Sequence, residues 1–387
     1  MTGVEGLLAA THDITRRLAD RSAEIETART LPTDLVAELA GAGLFRAFVP
    51  ASLGGSEAPV ADGLAVIEEL ATADGSTAWC VMIAMTTGLL GGFLPDEHAR
   101  TIYGSPDSIT GGLAAPAGRA IPLPDGGLRV SGRWAWGSGS RHCTWIGGGC
   151  RLVDPTGVPA PRADGLEAPF VLFNAADVEL LDTWHVSGLK GTGSTDYQVS
   201  DLVVPEGRWV QVNVDAPRED GALYRFSFFG MLALGIASVT LGLARRAIDE
   251  LVELAVDKRP QGSSRLLAER APVQAEVALA EAEMRAARAF MNDTVEDAWR
   301  SVSAGDPITD EQRRSSRLAA THATLASASA VDRCYTAGGG AAIYEDSALQ
   351  RVFRDVHVAT QHAMVAPRTL ELAGRLRLGL PTATGQL

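Results

Sequence analysis

The spacing of apolar residues changes twice along this chain of 387 residues. Before residue 107 and after about residue 222 apolar residues recur at helical spacing, whereas between these positions short runs alternate apolar and polar residues. A period of 3.6 residues is typical of amphipathic helices, and a period of two is typical of half-buried strands. The pattern therefore predicts an α+β protein with an N-terminal helical domain (1–106), a central β-domain (107–222) and a C-terminal helical domain (223–387).

The central region carries the strongest strand signal of the chain. A hairpin-type turn is indicated at residues 124–127. Apolar or small residues follow at alternate positions: Leu128, Val130, Gly132, Trp134 and Trp136. Period-two alternation predicts that all five lie on one wide, aromatic face of a sheet. Because about 100 residues are too few for two domains of usual size, the region is expected to form one small barrel or sandwich.

The C-terminal region contains four long segments with helical periodicity, at residues 226–258, 271–303, 310–337 and 347–376. Pro307 and the glycines at 338–340 mark the clearest breaks between them. Four helices of similar length are typical of a four-helix bundle. On the last helix, Asp355, Ala359 and His362 are expected to share one stripe.

Charge and cysteine content exclude several classes of protein. The chain has 34 Lys plus Arg against 47 Asp plus Glu, and a net charge of −13 repels nucleic acid. Its four cysteines form no CxxC pair, which argues against a zinc knuckle or a disulfide framework and favours the cytoplasm. Residues 75–95 and 226–244 carry no charge, but buried helices explain them better than membrane spans.

The chain also lacks the motifs of several common chemistries. It has no Walker loop, HExxH, GxSxG, EF-hand loop or complete GxGxxG after a strand, which disfavours P-loop and Rossmann enzymes. His357 and His362 are five residues apart, about 140° around a helix, so no metal pair is expected.

Two candidate functional residues remain, each with a structural alternative. Ser138 lies between Gly137 and Gly139, where small neighbours would let a planar ligand approach the backbone closely. The alternative is an ordinary tight turn after an aromatic strand. For His362, the alternative to a functional role is a hydrogen-bonded histidine at a helix interface.

Four segments, in this order, resemble the acyl-CoA dehydrogenase fold superfamily and within it the two-component (group D) flavin-dependent monooxygenases. They are the P-x-x-x-G-G turn at 50–55, G-x-W-x-F-x-S-G-x-x-H-x-x-W at 132–145 (GRWAWGSGSRHCTW), G-x-x-G-T-G-S at 188–194 followed by Val-Pro at 204–205, and L-x-R-x-x-R-D at 349–355 with His362. The resemblance covers nearly the whole chain and implies that its C-terminal helices form the family's four-helix bundle.

Departures from the family pattern favour the oxygenase branch. Acyl-CoA dehydrogenases often carry a catalytic glutamate nine residues after the arginine that corresponds to Arg354, and this chain has Ala363 there. A methyl group cannot remove the α-proton of a thioester. Residues 115–119 also lack the Ser-Asp of the dehydrogenases' first flavin strand. In the other direction, many of the oxygenases have a second pocket histidine where this chain has Thr86 and Thr87.

The resemblance implies a monooxygenase that uses reduced flavin and O₂ to hydroxylate an aromatic or heteroaromatic substrate, indole-like compounds included, through a flavin C4a-hydroperoxide. Reduced FAD or FMN would be supplied by a separate NAD(P)H:flavin reductase, and the protein would be a cytoplasmic homotetramer. The alternatives are a flavin desaturase of the dehydrogenase type, an N-oxygenase of an amine or aminosugar, and, least favoured, a non-enzymatic binding protein. Substrate identity and the choice between FAD and FMN stay open.

The resemblance also assigns roles to individual residues. His362 and Ser138 would be catalytic, with Ser138 donating a hydrogen bond at flavin N5 and His362, at an ordinary pKa near ~6.5, acting as acid or base. The flavin-binding residues would be Leu113, Trp136, Gly137, Ser138, Ser194, Arg259, Gly338 and Gly339. Arg259 would face the pyrophosphate, and the glycine turn with Gly338 and Gly339 would hold the flavin of a neighbouring subunit. The substrate pocket would be lined by Trp79, Thr86, Thr87 and Phe93. No metal site is expected.

Overall fold

The computed structural model describes residues 4–385 and residue 387. Six helices form the N-terminal region: α1 (Val4–Leu18), α2 (Ser22–Ala28), α3 (Thr33–Gly41), α4 (Val60–Ala73), α5 (Gly75–Gly88) and α6 (Asp96–Tyr103). Helix α5 contains no charged residue, and all of its residues except Ile83 are buried. It begins at Asp74, whose carboxylate accepts a hydrogen bond from the Thr77 amide and so caps the helix. The helix thus starts at a capped end and lies in the main apolar core.

The central region is one seven-stranded mixed sheet. Its strands are β1 (Thr110–Pro122), β2 (Leu128–Gly137), β3 (Trp145–Leu152), β4 (Phe170–Asn174), β5 (Glu179–Leu181), β6 (Thr195–Val204) and β7 (Trp209–Val210). The strand order is β5-β6-β2-β1-β3-β4-β7, and β1 runs parallel to β3 while the other pairs are antiparallel. The sheet has its own apolar core, in which Trp134 stacks on Tyr197 with ring centroids 5.4 Å apart.

The alternation expected along β2 ends at Trp134. The pairing of β2 with β6 shifts between Trp134 and Gly137, and Trp136 takes a left-handed backbone conformation with φ of +60°. Such an irregularity changes the face on which the following side chain lies. Trp134 is fully buried in the sheet core, whereas Trp136 is 65% exposed. The prediction that both tryptophans share one aromatic face is therefore wrong, and Trp134 forms no wall of a ligand site.

The C-terminal region contains α7 (Phe228–Asp257), α8 (Ala271–Ser303), α9 (Asp310–Gly338), α10 (Ala348–Ala359) and α11 (Arg368–Arg377). The last predicted helix is thus two helices, separated by a turn at residues 360–367. Pro367 lacks an amide hydrogen and disfavours helical backbone at the residue before it, which explains the break. His362 lies in this turn, so the predicted stripe that joins it to Asp355 and Ala359 is wrong.

Helix α7 is long and apolar enough to cross a membrane by length and composition. Of its most apolar window, however, 83% is buried inside the protein. It packs against α4, α9 and α10. Burial of this kind is typical of the central helix of a helical bundle.

Candidate active site

Ser138 stands where β2 ends against helix α5. The chain turns directly after the strand, with the Ser140 amide donating to the Gly137 carbonyl at 3.1 Å. Gly139 has a φ of +70°, a conformation that glycine adopts without strain. Ser138 is 7% exposed, and its Oγ accepts a hydrogen bond from Nε1 of Trp79 at 3.0 Å. The structure therefore brings together the strand-end serine and a tryptophan predicted to line the substrate pocket.

A chain of buried hydroxyl groups runs from Ser138 into the segment 188–194. Ser138 Oγ lies 2.7 Å from Ser194 Oγ, and Ser194 Oγ lies 2.6 Å from Thr192 Oγ1. Thr192 Oγ1 in turn lies 2.8 Å from the carbonyl oxygen of Leu189. We call Ser138, Ser194 and Thr192 the hydroxyl relay. All three side chains are at least nine-tenths buried.

The hydrogens of the relay can run in either of two directions. A hydroxyl has one hydrogen, a carbonyl oxygen only accepts, and an indole N–H only donates. In one direction Thr192 donates to Leu189, Ser194 to Thr192 and Ser138 to Ser194, and the Ser138 oxygen keeps one lone pair for a ligand while it accepts from Trp79. In the other direction the Leu189 carbonyl is still bonded by Nε1 of Trp184 at 3.2 Å, and Ser138 has its hydrogen free to donate to a ligand, as the sequence predicts.

His362 contacts the same tryptophan. The centroids of the His362 and Trp79 rings are 5.7 Å apart in an edge-on arrangement. The Met364 amide donates to Nδ1 of His362 at 3.2 Å, so the hydrogen of the neutral imidazole is on Nε2. Burial, together with the nearby charge of Arg317, lowers the pKa of His362 to about 4. The expected pKa near ~6.5 is therefore corrected: at neutral pH His362 is an uncharged donor through Nε2.

Arg317 is a residue of the site that the sequence analysis missed. This residue of α9 is 2% exposed and donates to the Met364 carbonyl at 2.8 Å. Burial lowers its pKa to about 10, which leaves it charged at neutral pH. Arg317 and His362 thus hold opposite ends of the same Met364 backbone unit. One feature of the sequence could have indicated its burial. Arg317 is followed directly by three apolar residues, Leu318, Ala319 and Ala320.

The two threonines expected in the substrate pocket are buried on α5, and both hydroxyls are engaged. Thr86 Oγ1 donates to the Met82 carbonyl, and Thr87 Oγ1 bonds the Ile83 carbonyl and lies 2.7 Å from Thr110 Oγ1. These bonds tie α5 to itself and to β1. Phe93, the fourth predicted pocket residue, follows α5 and is half-buried against the main core.

Ile83 is a lining residue that the sequence reasoning missed. A Cβ at Gly111 of β1 would lie 3.3 Å from the Ser138 carbonyl and 3.7 Å from Cγ2 of Ile83. Gly111 therefore lies within van der Waals distance of both residues, and a side chain at this position would fill the space between them. Ile83 is also the one residue of α5 that is not fully buried.

Leu113 of β1 was expected to contact the flavin. Its amide donates to the Tyr197 hydroxyl at 2.9 Å, and that hydroxyl donates to the Gly147 carbonyl. The amide is therefore already used within the sheet. A ligand contact by Leu113 would have to come from its carbonyl or its side chain.

The remaining predicted flavin residues lie at the other end of α9. Arg259 is exposed in the loop after α7, and the neighbouring Lys258 donates from Nζ to the Gly338 carbonyl at 2.6 Å. The Arg259 loop and the glycine turn, including Gly339, are thus adjacent. Gly338 and Arg317 are 21 positions apart on α9, which at 1.5 Å per residue separates them by about 31 Å. The residues predicted to bind flavin therefore form two groups, one around Ser138 and one at the C-terminal end of α9.

A buried carboxylate supports the relay from helix α10. Oδ1 of Asp355 accepts a hydrogen bond from the Leu189 amide at 2.5 Å. Burial raises the pKa of Asp355 to about 7, although the Leu189 amide opposes this rise. The close approach needs a glycine at 188, since a Cβ there would lie 2.3 Å from the Arg354 carbonyl. Asp355 therefore holds the amide of the residue whose carbonyl ends the relay.

The comparisons with known proteins agree on one family. The family models described as acyl-CoA dehydrogenase N-terminal and C-terminal domains match residues 8–94 and 234–367. The chain is 34% identical over 370 residues to an indole-3-acetate monooxygenase of Pseudomonas putida, covering 95% of this chain and 92% of that protein. It is 28% identical to the oxygenase subunit HsaA, a flavin-dependent monooxygenase of Rhodococcus jostii, covering 94% and 96% of the two chains.

A solved structure gives the same result in three dimensions. XiaF from a Streptomyces species, in complex with FADH₂ and glycerol, superimposes with a TM-score of 0.91 at 27% identity. The superposition covers 98% of this chain and 96% of that chain. Within residues 4–385 and 387, the structure contains no group of three or more His, Cys, Asp or Glu side chains that could hold a metal ion.

Proposed function

Because this chain belongs to the acyl-CoA dehydrogenase family and, within it, to the flavin-dependent monooxygenases, we propose that it oxygenates a flat heteroaromatic substrate of the indole class. It is an enzyme that uses reduced flavin and O₂. The observation that carries the proposal is the contact of Trp79 with both Ser138 and His362. These contacts place a hydroxyl and an imidazole at one aromatic ring.

The residues around Ser138 fit a flavin ring. Trp136 leaves a large aromatic surface exposed in a strained left-handed conformation, and such strain is typical of ligand sites. The buried Nε2 of His142, in the turn that follows Ser138, has no hydrogen-bond partner among residues 4–385 and 387. Burial lowers the pKa of His142 to about 4, and the charge of Arg141 makes a smaller contribution in the same direction. The ring is therefore neutral at pH 7. A planar polar ligand would cover the exposed ring of Trp136 and has polar atoms that can bond Nε2 of His142.

Reduced flavin, when bound, supplies the two electrons that activate O₂. Ser138 would form a hydrogen bond with the ring, and Trp79 and the hydroxyl relay hold its oxygen in place. His362 would direct its Nε2 hydrogen toward the reacting oxygen or the substrate. Trp79 and Ile83 add apolar surface that keeps water away, which strengthens these hydrogen bonds.

Three features support a flat, indole-like substrate. The relative from Pseudomonas putida is named for indole-3-acetate. Trp79 presents a rigid indole edge, and aromatic pairs prefer edge-on or offset contacts. Gly111 leaves a gap beside Ser138 and Ile83 that any side chain would fill, since a Cβ there would lie 3.3 Å from the Ser138 carbonyl and 3.7 Å from Cγ2 of Ile83.

We further propose that a separate NAD(P)H:flavin reductase supplies the reduced flavin in the cytoplasm, and that the enzyme is a homotetramer with flavin sites shared between subunits. The relative named as an oxygenase subunit supports the first point. The separation of about 31 Å along α9 between Gly338 and Arg317 supports the second, because Arg317 lies beside His362 and the glycine turn is therefore far from that end of the site.

A substrate panel tests the proposal. Purified protein receives FADH₂ or reduced FMN, with indole-3-acetate, a resorcinol or an aminosugar, in air-saturated buffer. Oxygenated product from the indole is expected, with less from the other two compounds. Oxidation of the aminosugar alone would favour an N-oxygenase and contradict the proposed substrate class.

A further inference from the structure

We propose that Met364 is a modification site, at which hydrogen peroxide converts the thioether to a sulfoxide and thereby loosens the turn that holds His362. The source of the peroxide rests on the proposed function, because O₂ that takes two electrons and two protons from reduced flavin without oxygenating a substrate leaves as H₂O₂. The sensitivity of Met364 itself follows from its exposure and its contacts.

Exposure distinguishes Met364 from the other methionines that the structure describes. Those five side chains are at most 1% exposed: Met82, Met85, Met231, Met284 and Met291. Met364 is only half-buried and packs against the main core. Oxidation requires contact between the sulfur and the oxidant. Among residues 4–385 and 387, Met364 is therefore the methionine that peroxide reaches first.

The cysteines, which are common targets of peroxide, are poorly reactive in this chain. The thiolate is the reactive form of a cysteine. Burial raises the pKa of Cys143, Cys150 and Cys334 to about 12. Burial also raises the pKa of Cys80. All four side chains are thus protonated thiols at neutral pH, whereas a thioether needs no ionisation before it reacts.

The reaction consumes one peroxide for each sulfur. A lone pair of Sδ attacks one oxygen of H₂O₂, the O–O bond breaks and an S–O bond forms. The proton of the transferred oxygen passes to the departing oxygen, which leaves as water. The sulfur loses two electrons, and the peroxide gains them.

Met364 contacts both polar residues of the turn. Its amide donates to Nδ1 of His362 at 3.2 Å, and its carbonyl accepts from Nη1 of Arg317 at 2.8 Å. Its Sδ lies 3.2 Å from the same Nη1. A thioether sulfur is only a weak acceptor, whereas a sulfoxide is polar and carries an accepting oxygen. The sulfoxide would therefore compete with the Met364 carbonyl for the Arg317 guanidinium.

One residue thus connects an oxidisable sulfur with the amide that bonds His362. If Arg317 turns toward the sulfoxide, the Met364 carbonyl loses this bond, and the amide of the same residue is no longer fixed against Nδ1. His362 would then direct its Nε2 hydrogen less well, and oxygenation would fall. Methionine sulfoxide reductases reverse the modification. The site would therefore slow turnover that yields peroxide in place of product until the sulfoxide is reduced.

The first test treats the purified protein with hydrogen peroxide in the absence of flavin and follows each methionine by mass spectrometry of its peptides. Met364 should gain one oxygen at least about tenfold faster than the buried methionines, because a buried sulfur reacts only after local opening of the fold. Oxidation of any buried methionine, or of any cysteine, as fast as that of Met364 would overturn the inference.

The second test compares each protein before and after the same treatment. The parent should lose about tenfold in product formed from FADH₂, O₂ and indole-3-acetate, which is part of the loss expected when a positioned donor is removed. Its midpoint of urea unfolding should also fall. Met364→Leu has a similar volume and no sulfur to oxidise, so it should keep its own activity and midpoint.

Two further variants complete the second test. Met284→Leu is the matched control, because Met284 is fully buried in α8, and this variant should be as sensitive to peroxide as the parent. Met364→Gln carries an accepting oxygen on a side chain of similar length, so it should form less product and unfold at lower urea than the parent without any peroxide. It decides the question if Met364→Leu does not fold.

Full oxidation of Met364 with unchanged product formation and an unchanged unfolding midpoint would overturn the inference and leave the proposed function intact. An equal loss in Met364→Leu would also overturn it, because another oxidised residue would then explain the data. If the untreated parent forms no product from any compound of the substrate panel, the proposed function is wrong. The peptide masses and the unfolding midpoints would then still decide the inference.

Discussion

The edge of the His362 ring packs against Trp79 with the ring centroids 5.7 Å apart, while Nε1 of the same tryptophan donates to Ser138. A single indole therefore fixes the relative position of two side chains that are 224 positions apart in the chain. The arrangement couples the end of a strand, the central helix α5 and the turn between α10 and α11. The predictions below follow from this coupling.

Two replacements of His362 distinguish its role as a hydrogen-bond donor from a role as a general base. With the hydrogen on Nε2, the neutral ring acts as a donor, so His362→Gln, which keeps an N–H group, should retain at least tenfold more oxygenation than His362→Ala. The alanine variant should lose a factor of about 10² to 10⁴, as is usual for a positioned proton donor or acceptor. Product formation per folded protein is the measurement. His357→Ala is the control, since His357 pairs with Asp332 at the half-exposed face of α10. Equal loss in the Gln and Ala variants would contradict the donor role.

The low pKa of His362 predicts how stability depends on pH. The folded pKa of about 4 lies below the unfolded value of 6.5, so the unfolded chain binds the extra proton first as the pH falls. The contribution of His362 to stability is complete above pH 6.5 and declines toward pH 4, by about 3 kcal/mol in total. Denaturant unfolding between pH 4 and 7 should show a shallower pH dependence for His362→Gln than for the parent. His142 titrates over the same pH range, but it is present in both proteins and its contribution cancels in the comparison. Parallel curves for the parent and His362→Gln would contradict the prediction.

Glu26 of α2 links the segment 188–194 to helix α10, because it pairs with Lys190 and with two arginines of α10, Arg351 and Arg354. Burial alone would raise its pKa, but hydrogen bonds from Arg354, Lys190 and Arg351 outweigh it and hold the pKa at about 2. Its stabilising effect is therefore complete above pH 4.5 and is lost as the pH falls toward 2. Glu26→Gln should destabilise the protein by about 1–3 kcal/mol at neutral pH, and this difference should shrink near pH 3.

Chemical denaturation at pH 7 and pH 3 measures the Glu26 effect. Glu24→Gln is the control, because Glu24 pairs with Arg21 at an exposed site and such pairs contribute little. A Glu26→Gln variant as stable as the control at pH 7 would show that the cluster around Glu26 does not hold the two segments together.

Complementation tests whether flavin sites are shared between subunits. Ser138→Ala should consume O₂ with little product, and Arg259→Ala should bind reduced flavin weakly, so each variant alone should be nearly inactive. When the two are coexpressed and pair at random across a two-fold axis, about a quarter of the sites contain both parental residues. Product formation near a quarter of the parent level is expected. Activity no higher than that of the separate variants would show that Ser138 and Arg259 do not serve one flavin through different subunits.

Several features were predictable because they depend on local periodicity or on a motif. The three-part architecture follows from the two changes of period, and the resemblance to flavin-dependent monooxygenases is confirmed by the relatives. The glycines around Ser138 and the segment 188–194 indicated a turn and a close backbone approach. The structure adds that these two segments meet through the hydroxyl relay.

Other features depend on tertiary contacts that no local pattern encodes. The irregularity that turns Trp136 outward arises from the pairing of β2 with β6, not from the alternation of β2 itself. The break before Pro367 moves His362 off its helix, and the low pKa of His362 comes from burial against Arg317 and Trp79. Arg317 is buried within a helix that otherwise follows an amphipathic pattern, so only the folded structure distinguishes it from a solvated arginine.

Oxygen incorporation in a single turnover tests the central claim most directly. Anaerobic protein with FADH₂ and indole-3-acetate is mixed with buffer saturated with ¹⁸O₂, and the product is analysed by mass spectrometry beside a sample without protein. We predict one ¹⁸O atom in the product, formed only with the protein and with no more than one product per reduced flavin. Product without ¹⁸O, or oxidation of protein-bound FADH₂ by O₂ with no oxygenated product from any compound of the substrate panel, would contradict the assignment as a monooxygenase.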